Sequence, residues 1–445
     1  MTNDVLNFLG DLVREARAQG ADEADAVDID SRSLEATVRF GKIEHMERSE
    51  LRKTGLRVLV GRRQAVVATA DRQRETAAAL VERAVAMARA APEDPHAGLA
   101  DPALLASDWP DLDLYDANVP ASEDFVRKAA EAEAAALDVP GVTNSEGAGA
   151  GRTETHVALV SSNGFAGGYR RSGCGLSVSV LAGEGTAMES EYDWSQAVHA
   201  ADLAEPAALG RSAGERAVRR LGPVKPETAV MPVVFEQRLA GRLVGALAGA
   251  INGAAVARGT SFLKDAMGEA VLKEGMMLID DPGRRRGTGS HPFDAEGLSC
   301  ARRALVENGV LRSWLLDLRS ARQLGLPPTG NAARSAGSAP GPASSNLYLE
   351  PGRVPPEELI GEIEFGLFVT SVMGPGVDLV AGRYSQGAAG FAIRGGKIAE
   401  PANEITIAGN LRDMLLGIDA ADDLIFRSSV NAPTLRIDAM TVGGR

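Results

Sequence analysis

The sequence predicts an α+β protein. Its N-terminal half is an α/β domain of antiparallel strands and helices. Its C-terminal half is mostly antiparallel β, barrel-like or sandwich-like, around a buried Gly-rich helix. Three observations predict this. Apolar residues recur at helical spacing in separate blocks of the first half. Between the blocks, apolar and polar residues alternate. The dipeptides Asn163-Gly164, Asn308-Gly309 and Gly395-Gly396 fall between apolar runs, where two-residue hairpin turns require such residues.

Taken in order, residues 5–19 form a helix with Val5, Phe8, Leu9, Leu12, Val13 and Ala16 on one face. Alternation through Val27, Ile29, Leu34, Ala36, Val38 and Phe40, then through 55–70 with Gly61 at a turn, predicts antiparallel strands with one solvated face. Residues 74–91 and 122–137 return to helical spacing, the second opening with Ser122 as N-cap and Glu123 and Asp124 in its first turn. The proline- and aspartate-rich stretch 92–121 between them is expected to loop over the surface. Strands follow over 154–191, then a helix over 203–221. "LGPVKPET" (221–228) is a linker, which divides the chain into 1–222 and 223–445. The second half opens with strand Ala229–Phe235 and the glycine-rich helix. After Arg258 almost everything is expected to be β, interrupted by helices at 318–325 and around 355–366.

Composition narrows the function. The 445 residues exceed one ordinary core, and 44% hydrophobic with 24% charged residues are globular values. The formal charge of −13 repels a phosphate backbone, and "GRRR" (283–286) is the densest basic cluster, so nucleic-acid binding is disfavoured. Asp4 and Asp11 interrupt the first apolar stretch, which reads as an amphipathic helix and not a signal peptide. Two cysteines, Cys174 and Cys300, make neither a disulfide framework nor a zinc knuckle, which points to a reducing cytoplasm. Residues 239–257 are rich in Ala and Gly and contain Arg242 and Asn252, a poor composition for a membrane span.

Motifs for chemistry are sparse. "GRSAG" (210–214) matches a hydrolase nucleophile pattern, but Ser212 lies within helical spacing and not after a strand; small residues on a helix explain it better. "EGAGAGRT" (146–153) precedes a strand and lacks lysine, so it reads as a flexible loop. "RGGKI" lacks the first glycine of a phosphate loop and ends in Ile398. No histidine begins an H-E-x-x-H motif. His291 lies near Asp294 and Glu296 and could join a metal site or proton relay, although a turn histidine is commoner; His199 is expected to cap or pack. Residues alone thus give a soluble two-domain protein without a catalytic set.

Several long stretches resemble the TldD/PmbA family, specifically its PmbA (TldE) branch. They are "FLKDAMGE" (262–269), "HPFDAEGL" (291–298), "ENGVLRSWLLDLRSARQLGLPPTGNA" (307–332), 369–401, "EITIAGNLRDML" (404–415) and the closing "TLRIDAMTVGG". The resemblance covers most of 225–445 and, more loosely, the first 90 residues. It implies a subunit of a cytoplasmic heterodimeric zinc metallopeptidase acting on short or unfolded peptides. The TldD-type partner holds zinc on an H-E-x-x-x-H helix placed just before R-G-T-S. This chain keeps "RGTS" at Arg258–Ser261, but Val244, Gly245 and Gly249 stand where that motif's first histidine, its glutamate and its second histidine would fall. No cofactor is expected in this chain, and zinc is expected in the partner.

The glycines Gly241, Gly245, Gly249 and Gly253 recur at every fourth residue. On one helix they drift only about 40° per step, so they would share a narrow face and form a close-packed seam against sheet or partner. With Arg258, His291, Tyr384 and Ser385, Gly241 and Gly253 are the candidates for an interface or peptide groove. The partner is a TldD-type subunit or a second copy; a stand-alone homodimeric peptide-binding or regulatory protein, or a peptidase with an unrecognised site around His291, are the alternatives.

Overall fold

The computed structural model describes residues 3–374 and 376–445. Its first half contains α1 (Asn3–Ala18), β1 (Glu23–Arg39), β2 (Lys42–Val60), β3 (Arg63–Thr69), α2 (Arg74–Ala90), α3 (Ser122–Leu137), β4 (Val142–Ser161), β5 (Ala166–Ala182), β6 (Glu189–Ala197) and α4 (Pro206–Arg219). The strands form one antiparallel sheet in the order β3-β2-β1-β4-β5-β6. Strand alternation gives this sheet two faces of different fate.

One face carries Ala24, Ala26, Ala36 and Val38 of β1 and is covered by all four helices. Leu9, Leu12, Leu80 and Val81 of α1 and α2 close one end, and Phe125, Ala129, Leu209 and Ala213 of α3 and α4 close the other. The α3–α4 approach explains "GRSAG": a Cβ on Gly210 would overlap the Ala132 carbonyl, and Gly214 meets Val139 and Ala136. Ser212 donates to Asp193 at 2.6 Å from the middle of α4 and is no nucleophile elbow. At α3 the N-cap is Ala121, one residue before the predicted Ser122. The Asp124 carboxylate reaches back to the Ala121 N–H and supplies what the alanine cannot.

The opposite face is not simply solvated. Val27, Leu159, Phe165 and Tyr169 on it pack against Phe293 and Ala336 of the second half. Farther along, Gly149, Gly151, Gly173 and Gly175 floor an open trough of about 470 Å³, with Glu35, Thr153 and Trp194 among its lining residues. "EGAGAGRT" is therefore part of the central strand β4 and not a flexible loop. Glycine is required there because β1 crowds it: a Cβ on Gly151 would sit 2.7 Å from the Leu34 carbonyl oxygen. Residues 92–121 also depart from expectation. They form a strap anchored by buried Leu99, Ala100, Ala106, Leu112, Leu114 and Asp116, and Arg152 donates to its Asp116 and Asn118 carbonyls.

The second half opens with β7 (Ala229–Phe235), α5 (Gln237–Ala250) and α6 (Gly253–Ala257). Residues 258–302 are largely turns, holding only β8 (Leu278–Asp280), which corrects the expectation of continuous β after Arg258. Seven glycines and side chains that bond backbone suit this stretch to turns: Asn346 accepts from the Gly289 N–H, and Asp294 accepts from the Glu296 and Leu298 N–H groups. Then come β9 (Arg303–Glu307), β10 (Val310–Leu311), α7 (Leu318–Leu324), β11 (Ala332–Ala333), β12 (Gly341–Pro342), β13 (Leu347–Leu349) and α8 (Pro356–Gly361). Asn308 and Gly309 both have positive φ, as the predicted hairpin turn demands.

The last elements are β14 (Phe365–Met373), β15 (Val377–Asp378), β16 (Arg383–Arg394), β17 (Lys397–Asn410), α9 (Leu411–Leu416), β18 (Ile418–Ala420), β19 (Val430–Asn431) and β20 (Leu435–Gly443). Strands β7, β14, β16, β17 and β20 close into a five-stranded barrel, antiparallel except between β7 and β14. Its core merges with the apolar face of α5 through Phe235, Leu243, Leu247, Val369 and Tyr384. Among the described residues no helix is long and apolar enough to cross a membrane.

The two halves meet closely at Gly55 of β2, where an added Cβ would overlap the Ala336 carbonyl oxygen. Gly55→Ala should lower the unfolding free energy by about 1–3 kcal/mol through overpacking. Gly173→Ala, where a Cβ meets nothing within 4 Å, should stay within about 0.5 kcal/mol of the parent. Urea unfolding of both variants checks the pair; equal effects would show that the halves do not meet there.

Candidate functional site

The α5–α6 segment carries the positions singled out by sequence. Its apolar face buries Leu239, Ala240, Leu243, Val244, Leu247 and Ala250. Val244 is packed in the apolar core of the second half. Gly245 faces open space, while a Cβ on Gly249 would lie 2.7 Å from Leu379. Gly241 faces the Val430 carbonyl oxygen, 2.9 Å from its Cβ position. The helix does not run unbroken to Ala257. It ends at Ala250 because Asn252 caps a new helix, accepting from the Ala254 and Ala255 N–H groups and donating to the Pro342 carbonyl at 2.8 Å. Gly253 therefore begins α6, where Leu315 and Leu316 crowd it, and the four glycines do not share one continuous face.

"RGTS" closes this segment. Arg258 is the exposed C-cap of α6, and buried Ser261 donates to the Ala250 carbonyl at 2.5 Å, tying the turn back to the end of α5. Tyr384 points into the barrel core, donates to Gln386 at 2.7 Å and stacks edge-on to Phe235; burial pushes its phenol pKa up. Ser385, next on β16, points outward and is exposed. These residues carry neither a metal-ligand set nor a nucleophile with its base. Among the described residues no three His, Cys, Asp or Glu side chains are grouped to hold a metal ion. A valine in the core and two glycines do not fit zinc.

His291 lies elsewhere, on a cavity of about 210 Å³ between the first sheet and the second half. Its Nδ1–H donates to the Gly289 carbonyl at 3.1 Å, and burial lowers its pKa, so the ring is neutral at pH 7. Asp294 and Glu296 point instead into their own turn and α7. Asp294 accepts three backbone N–H groups, and Glu296 accepts from the Leu318 N–H at 2.8 Å. Burial pushes Asp294 up to about 6; burial and then the Asp294 charge push Glu296 up to about 8. His291, Asp294 and Glu296 thus form no relay. His199 meets Asp113 at 3.2 Å. Both cysteines are free, and burial raises the Cys300 pKa.

Sequence reading missed the ionic cluster beside this cavity. Asp25 of β1 takes Arg57 on one carboxylate oxygen and Arg334 on the other, all three side chains at most 5% exposed. The available signal was an aspartate inside the apolar run "ADAV" (24–27), a charge placed where the alternation has no solvent to offer it.

Three comparisons place this architecture. Sequence profiles of the PmbA/TldA metallopeptidase domain 1, central domain and C-terminal domain match residues 27–88, 115–221 and 228–444. Metalloprotease PmbA of Escherichia coli O157:H7 is 34% identical over 430 residues, 96% of this chain and 93% of that protein. A crystal structure from Bacteroides thetaiotaomicron, described as a candidate modulator of a DNA gyrase, superposes with a TM-score of 0.92 at 26% identity over the whole of both chains. TldE of Thermococcus kodakarensis shares the fold, with a TM-score of 0.88 at 20% identity over 98% of this chain and all of that one.

The raised Glu296 pKa has a definite sign in stability. Between the ordinary 4.5 and about 8 the folded chain keeps a proton that the unfolded chain has released. This contribution is therefore present at acid pH and lost as pH rises through that window. Glu296→Gln keeps an acceptor for the Leu318 N–H but cannot ionise. Its unfolding free energy should fall less between about pH 5 and about pH 8 than the parent's, read by urea unfolding across that range. Parallel curves would mean that Glu296 titrates alike in both states.

Proposed function

The chain belongs to the PmbA/TldD metallopeptidase family, as a PmbA/TldE-type protein, and from that premise we propose that it is the metal-free subunit of a two-chain zinc metallopeptidase. One observation carries the reading. The α5 positions that align by count with the family's metal motif hold Val244, whose side chain is in the core, and Gly245 and Gly249, which have none. Three residues that can neither ligate zinc nor move a proton make α5 a scaffold element. The turn at Ser261 is consistent with this, because its hydrogen bond to the Ala250 carbonyl ties "RGTS" to the end of α5 within the chain.

On this reading a TldD-type subunit supplies zinc and the general base, and the substrate is a short or unfolded peptide. This chain would wall the peptide channel. We take 1–222 and 223–445 as its two domains and the cytoplasm as its place of work. A second copy of the chain remains the competing partner, distinguished by which chain co-purifies from the native host.

The isolated chain, dialysed against micromolar zinc, should retain fewer than about 0.1 zinc per chain. It should leave an unfolded peptide uncut, and adding a TldD-type subunit should produce cleavage that a chelator abolishes. Tight zinc at one per chain, or chelator-sensitive cleavage by this chain alone, would overturn the proposal.

A further inference from the structure

The cavity beside His291 is lined by both halves of the chain. Val27, Ile29, Val157 and Leu159 of the first sheet, with Phe293, give it apolar walls. Its polar lining is Tyr169, Arg171, His291, Asp294, Arg334 and Ser344. Asp294 is the one acidic residue among these, and its carboxylate is occupied by three backbone N–H groups. Exposed Ala333 and half-buried Ile29, Val157 and Tyr169 mark where solvent reaches it.

Arg334 is the unexplained group. Its side chain is 2% exposed, yet only Nη1 is bonded, to Asp25. Nε and Nη2 have no hydrogen-bond partner among the described residues. Asp25 cannot satisfy them, because its other oxygen already takes Arg57. Buried guanidinium donors without acceptors are costly, and a planar fork of two N–H groups matches a carboxylate. Arg171 adds a second cation to the same lining and donates one nitrogen to the Thr288 carbonyl. Arg171 also lines the glycine-floored trough on the open part of the sheet, so cavity and trough adjoin there. The trough floor, Gly149, Gly151, Gly173 and Gly175, leaves backbone room for an extended chain.

We propose that this cavity is a binding site for an apolar carboxylate, whose carboxyl group meets Arg334 and Arg171 and whose aliphatic body lies against Val27, Val157 and Phe293. The carboxylate could come from a free branched-chain acid or from the C-terminal residue of a peptide lying along the trough. The site is independent of the zinc-free role proposed for α5, since none of its residues belongs to that helix.

The test uses the full chain and calorimetric titration. The probes are isocaproate, its amide, and a tripeptide ending in leucine as free acid and as C-terminal amide. Saturable binding is expected for at least one acid below about 10 mM, with its amide at least about tenfold weaker. A preference for the tripeptide acid assigns the site to peptide C-termini, and a preference for isocaproate assigns it to free acids. Arg334→Gln should weaken binding by at least about tenfold. Because that change also disturbs Asp25, Val157→Phe, which fills the cavity without touching the ion pairs, should abolish binding while the chain still melts cooperatively. No saturable binding of any acid, equal binding of acids and amides, or undiminished binding by Val157→Phe would overturn the proposal and leave a water-filled cavity.

Discussion

A buried carboxylate, Asp25, helps tie the two halves of this protein together. Asp25 sits in β1 on the sheet face opposite the helices and receives Arg57 from β2 and Arg334 from beyond α7. Burial works to raise its pKa, but the two guanidiniums overcome this and hold it below the usual carboxylate range. Such a group tolerates no missing partner: breaking a buried pair typically costs about 3–5 kcal/mol. The cluster lies in the covered part of the sheet face opposite the helices. Where Asp25 lies, the C-terminal half docks through Phe293 and Ala336; where Glu35 lies, ten residues along the same strand, the face is open as the glycine trough.

The same physics makes α5 intelligible. A helix with glycines at 241, 245 and 249 lacks propensity, so packing must hold it. Its apolar face shares the barrel core, and its glycines admit the Val430 backbone and the Leu379 side chain of this same chain. That is a seam within the chain at Gly241 and Gly249. Only Gly245 among the three has open space around it. Packing of this kind keeps α5 in place despite its glycines.

Much of this was legible from periodicity. Helices α1 and α2, strand β7 and the turns at 163–164, 308–309 and 395–396 depend on local spacing and local turn chemistry, and they lie where the sequence places them. What failed was long-range. "EGAGAGRT" has a loop's composition, but β1 and β5 on either side make it strand. The predicted single helix to Ala257 breaks because Asn252 finds a partner in Pro342, 90 residues away. The strap at 92–121 has a loop's residues but is pinned by Arg152. For the candidate site, the altered α5 positions were legible by counting back from "RGTS". The Asp25 cluster was not, because its three members lie at 25, 57 and 334 and only the fold joins them.

On the reading proposed above, this chain contributes architecture and a TldD-type partner contributes metal. Crystals of the chain in complex with a TldD-type subunit, measured at the zinc absorption edge, test it most directly. The account predicts anomalous density bound by the partner's residues and none ligated by this chain. Zinc held by side chains of this chain, at α5 or around His291, would contradict it.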